Sequence, residues 1–75
     1  MTDVTPRLRD CAHAIAMLTA RVGMPPTIAE VSMEMGLRGV HAYPHVAALI
    51  AKGYADRQNG NRSLRLTAAG KRLAK

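Results

Sequence analysis

Four side chains that can ionise or hydrogen-bond stand within eight residues of one another: Arg38, His41, Tyr43 and His45, in the stretch RGVHAYPH. An arginine can take a guanine edge through two parallel hydrogen bonds, a histidine can donate or accept, and a tyrosine can meet a thymine methyl or a phosphate. Each has a bland alternative: Arg38 as a solvated turn residue, and Tyr43 as an aromatic cover over a core that contains no Phe or Trp. The same residues raise a second kind of chemistry. His41 and His45 have the four-residue offset that lets two imidazoles share a metal on a helix, but Pro44 interrupts them and no third ligand is obviously placed. Cys11 and His13 lie two apart on a helical pattern and so point in different directions, with no acid pair or glycine-rich phosphate loop to join them. The expectation is a binding protein, with no catalytic residues, no metal and no other cofactor.

The size and charge of the chain say what it would bind. Seventy-five residues make one domain, 1–75, near the lower limit for a self-sufficient core and too short for a deep catalytic cleft. The single Cys11 excludes an internal disulfide and fits a reducing cytoplasm. No export signal and no apolar run of membrane-spanning length are present, so no membrane partner is expected. Charge divides the chain in two. Residues 1–37 carry three arginines against four acids, whereas residues 38–75 carry eight Lys and Arg against Asp56 alone. A surface so heavily of one sign repels itself and is best tolerated beside a polyanion, with nucleic acid the leading candidate.

Stepping along the chain, the elements that must position these residues can be read from their stops and starts. Thr5-Pro6 opens a first helix over about 6–22, with Leu8, Cys11, Ala12, Ile15, Leu18, Thr19 and Val22 as its apolar face, and Gly23 ends it. Pro25 and Pro26 force a turn. Thr27 followed by Glu30 is a capping box for a short second helix over about 28–35, with Ile28, Val31 and Met35 inward and Gly36 as its stop. A third helix runs over about 41–52, keeping Pro44 within its first turn, with Val46, Leu49 and Ile50 on one face. Residues 54–67 read as two short strands about Asn59-Gly60, with Leu64 and Leu66 inward. Thr67 caps a last short helix over about 68–74, whose Gly70 and exposed lysines predict fraying.

Three helices, a two-stranded wing and a short C-terminal helix form a mainly α winged helix-turn-helix. The residues GMPPT at 23–27, AE at 29–30, GLR at 36–38 and AKG at 51–53 resemble the amino-terminal DNA-binding domain of the LexA family, over roughly four fifths of the chain. The ending LRLTAAGK is similar to the close of other winged-helix regulators. Two departures stand out. Between Gly36 and Gly53 the chain is one residue shorter than the family's spacing, and GVHAYPH at 39–45 lacks the family's Ser-Pro-Asn start and paired glutamates, so the family's operator does not carry over. No peptidase domain is expected downstream, and with it no self-cleavage.

The resemblance implies a sequence-specific regulator of transcription that binds double-stranded DNA in the cytoplasm, and the small size suits a phage or mobile element. The third helix would lie in the major groove, braced by the second. Arg38, His41, Tyr43 and His45 would then face bases or phosphates, and Thr27 is a further candidate contact. The wing offers Arg57, Asn59, Asn61, Arg62 and Arg65 to backbone or a narrow minor groove, with Arg62 the foremost. Arg7 matches a basic residue at the start of the family's first helix, with phosphate as its expected partner. Lys52 either touches DNA or complements the dipole of its own helix. Weak homodimerisation or cooperative pairing on DNA is expected, since one module covers few base pairs. The alternative is a protein-protein interaction module, with Met17, Met24, Met33 and Met35 as an adaptable apolar surface.

Overall fold

Thr5 and Pro6 start the first helix in the way their types suggest. Thr5 Oγ1 accepts a hydrogen bond from the Leu8 N–H at 3.2 Å, and Pro6 takes the first helical position, where no intrahelical bond is lost. In the computed structural model, which describes residues 5–57 and 64–74, this helix is α1 (Pro6–Val22). It is followed by α2 (Ile28–Glu34), α3 (Tyr43–Ala51), β1 (Ala55–Asp56), β2 (Arg65–Leu66) and α4 (Ala68–Leu73). The strands pair antiparallel, Ala55 opposite Leu66 and Asp56 opposite Arg65. This order of elements is that of a winged helix-turn-helix, the fold class expected from the sequence. Residues 58–63, with the Asn59-Gly60 turn, lie outside the described residues.

The core is aliphatic and α1 is its spine, packing against α2, α3, α4 and β2. Ile15, Leu49, Leu64, Val31, Val46, Pro26 and Cys11 are its largest fully buried side chains, each contributing roughly 1.5–3 kcal/mol where a large aliphatic group leaves water. The burial corrects the expected helical faces at several points. On α1, Thr19 and Val22 are exposed and Ala14 is buried instead; Thr19 turns its hydroxyl back onto its own helix, donating to Ile15 O at 2.8 Å. On α3, Ile50 is 37% exposed, and Ala42 joins Val46 and Leu49 in the core. Of the four methionines of the alternative apolar surface, Met35 packs against the core while Met17, Met24 and Met33 are exposed.

Helix α3 begins at Tyr43, close to the start that Pro44 predicts, because residues 38–43 are taken up by two successive turns. The His41 N–H donates to Arg38 O at 3.1 Å and the Tyr43 N–H to Val40 O at 2.9 Å. Pro44 is therefore the second residue of the helix, where it does no harm.

The last helix is docked, in contrast to the fraying its composition suggested. Gly70 is buried against the Tyr54 backbone, and the Ala74 carbonyl lies 3.2 Å from His13 Nδ1 on α1. Thr67 ties α4 to the end of α3, donating from its hydroxyl to Gly53 O at 2.7 Å and accepting from the Gly70 N–H at 3.2 Å.

Candidate nucleic-acid interface

The relation between α2 and α3 decides what this surface presents, and it rests on local chemistry at both ends of α2. At its start, Thr27 Oγ1 accepts from the Glu30 N–H at 3.1 Å while Glu30 Oε1 accepts from the Thr27 N–H at 2.9 Å, a reciprocal cap contributing about 1 kcal/mol. At its end, the Leu37 N–H donates to Ser32 O at 2.8 Å and the Gly36 N–H to Met33 O at 3.0 Å. Gly36 adopts φ +78°, and Gly39 within the turn φ +56°; residues with a Cβ enter this region reluctantly, so the two glycines let the chain reverse within a few residues.

A long-range bond then joins the two helices. Ser32 is fully buried in α2; its hydroxyl donates to Ile28 O at 2.9 Å and accepts from the Ala42 N–H at 2.9 Å. Ala42 is the N-cap of α3 and has no side-chain cap of its own, so Ser32 supplies the partner that its buried N–H would otherwise lack. This pin sets where the first turn of α3 starts. Sequence reading missed it, although a serine standing four residues after Ile28, on the inward side of an otherwise apolar stripe, was a signal.

Around this frame the predicted residues fall into three groups. Arg38 and His41 are exposed in the turn, Tyr43 is the first residue of α3 and 53% exposed, and His45 is half-buried two residues on. That exposure separates Tyr43 from the core, which disfavours its alternative role as a core cover. It also removes the premise of a shared helical metal pair, because His41 precedes the helix that carries His45. The second group lies beyond α3: Lys52 is its exposed C-cap, and Arg57 is exposed just past β1, its N–H donating to Asp56 Oδ1 at 2.8 Å. The third group stands apart. Arg7 lines a groove with Asp10, His13, Glu34 and Met35, and Arg65 lines another with Thr19, Ala20, Pro25 and Lys71. Asn59, Asn61 and Arg62 lie outside the described residues.

Electrostatics sharpen the division. Arg21 is engaged with Glu34 through two hydrogen bonds of 3.3 and 3.2 Å, an exposed pair contributing about 0.2–1 kcal/mol. It ties the end of α1 to the end of α2. No acidic residue occurs from 38 to 55, so the turn and α3 carry no carboxylate to repel a polyanion. No helix among the described residues is long and apolar enough to cross a membrane.

Cys11 offers no reactive thiolate. It is fully buried in α1, and burial pushes its thiol up to about 11. Because the folded state favours the neutral thiol, the stability this confers is complete below about pH 9 and is lost as pH rises from about 9 to about 11. The urea midpoint of the wild type is therefore expected to fall more steeply across that window than that of Cys11→Ala. Parallel slopes would refute the assignment.

Comparison with known proteins shows the family. The family model described as the LexA DNA binding domain matches residues 1–63. The LexA repressor of Ralstonia pickettii (strain 12J) is 38% identical over 72 residues, which cover 93% of this chain and 33% of that protein. The LexA repressor of Shewanella baltica (strain OS155) is 37% identical over 70 residues, covering 91% of this chain and 34% of that protein. The chain spans about a third of the length of the curated relatives it matches.

Proposed function

The chain belongs to the LexA DNA-binding domain family, and from that premise we propose that it is a sequence-specific double-stranded DNA-binding module of a transcriptional regulator. The observation that carries this reading is the pinned turn: Ser32 holds the start of α3 against α2, leaving Arg38, His41 and Tyr43 exposed at the end of the helix that a helix-turn-helix presents to base edges. Arg38, Lys52 and Arg57, all exposed on either side of α3 in the chain, supply phosphate neutralisation, while Thr27 sits at the other helix start that faces backbone in this arrangement. Arg7, Asn59, Asn61, Arg62 and Arg65 are assigned to phosphate or minor groove by their place in the chain. The module itself is a non-catalytic unit, in the cytoplasm where the chromosome lies, and pairs cooperatively on adjacent half-sites because one copy spans few base pairs.

Selection of bound duplexes from a random pool, followed by titration at several salt concentrations, tests this. The expected result is a selected site bound at least a thousand-fold more tightly than unrelated DNA, with log K falling steeply and linearly in log salt, by about 0.9 for each phosphate neutralised. A titration end point of two chains per selected site would accompany it. Affinity insensitive to salt, or no selected sequence, would overturn the reading. The exposed Met17, Met24 and Met33 would then favour the protein-docking alternative.

A further inference from the structure

Helix α3 reads YPHVAALIA and contains no acid, no Lys or Arg, no amide and no aliphatic hydroxyl. Val46 and Leu49 turn into the core, so the side chains left exposed are Tyr43, Pro44, Ile50 and Ala51, with Ala47 half-buried among them and Val40 exposed in the preceding turn. Val40 is 58% exposed and Ile50 37%. Beyond Tyr43, this outward strip has no group that can hydrogen-bond a base. Arg38 and His41 lie before the helix, and His45 is half-buried on its flank. A helix that entered a major groove this way would meet base edges mainly with methyl and methylene groups, and the one apolar feature the major groove displays is the C5-methyl of thymine.

We propose that the outward face of α3 reads thymine methyl groups, so that the preferred site has a short A·T-rich centre under α3 rather than a pattern of hydrogen-bonded bases. The proposal rests on the DNA-binding reading above and names what that surface recognises. Size and charge support this occupant over an apolar protein surface. From Tyr43 to Ile50 the helix advances about 10 Å, which matches about three base pairs at 3.4 Å each. Arg38 lies before the strip, and Lys52 and Arg57 lie after it, all exposed, with no carboxylate from 38 to 55 and that of Asp56 engaged by the Arg57 N–H. An apolar strip with cations at both ends suits methyl groups lying between two phosphate backbones.

The test is titration of the chain against its selected duplex and against the same duplex with every thymine under the footprint replaced by deoxyuridine. This removes the methyl and keeps every hydrogen-bonding atom of the base. A methyl-sized apolar contact corresponds to roughly a four-fold loss of affinity for each thymine in contact. The salt slope should not change, and deoxyuridine outside the footprint should have no effect. In Ile50→Ala, whose side chain is partly exposed and outside the core, the gap between the two duplexes should narrow. Equal affinity for thymine and deoxyuridine duplexes would overturn the proposal while leaving DNA binding intact. Failure to bind any duplex would overturn both it and the reading on which it rests.

Discussion

Replacing Gly70 with alanine is expected to destabilise the fold by about 1–3 kcal/mol, although in an isolated helix the same change would help by about 1 kcal/mol. Gly70 is the third residue of α4, and a Cβ built there falls on the Tyr54 carbonyl oxygen, within 2.9 Å of the carbonyl carbon and 3.1 Å of Leu66 Cδ2. The obstacle is backbone, which cannot swing aside as a flexible side chain would. The same Tyr54 oxygen accepts the Thr67 N–H at 3.0 Å, so moving it also weakens the bond that joins α4 to the end of α3. The clash therefore outweighs the gain in helix propensity. In a domain of this size each kcal/mol moves the melting temperature by about 4–8 °C, which makes the loss easy to read by circular dichroism. Alanine at 70 that leaves the melting temperature unchanged or raises it would show that α4 is not seated as described.

Ser32→Ala is the second large effect, expected at about 1–3 kcal/mol. The substitution removes one oxygen and leaves the Ala42 N–H buried without an acceptor, since Ala42 and Ser32 are both fully shielded from solvent. Water cannot take the place of the hydroxyl there, so the full desolvation cost of the amide remains. The loss of the bond from Ser32 to Ile28 O matters less, because helix carbonyls keep their backbone partner. Urea unfolding should show the lower midpoint. On DNA the variant should lose affinity for a selected site more than for unrelated duplexes, because the start of α3 is released while the surrounding cations stay in place. An unchanged urea midpoint would mean that the pin is not formed in solution.

These two effects mark the border between what residue types announce and what they do not. The caps at Thr5, Thr27 and Thr67, the reversal at Gly36 and the confinement of Pro44 to a first turn are all interactions among residues within a few positions of one another. Their geometry is set by the short stretch of chain that contains them, which is why the element order and the family resemblance were legible. The division of charge is equally a property of composition. Which side of α3 faces outward was harder to read: Val46, Leu49 and Ile50 fit one apolar face equally well, yet Ala42, bonded through its N–H to Ser32, is buried with Val46 and Leu49 while Ile50 is exposed.

Residue types alone therefore set the local folding units, their stops and the basic half of the molecule. Packing made Ser32 a positioning residue for α3, turned an apolar strip of α3 outward, and made Gly70 a close contact instead of a weak point in a helix. The first and the last depend on a partner ten or more residues away, Ala42 for Ser32 and Tyr54 for Gly70, and packing distance between such partners is not encoded in the type of either residue; the strip follows from which side of α3 buries Val46 and Leu49.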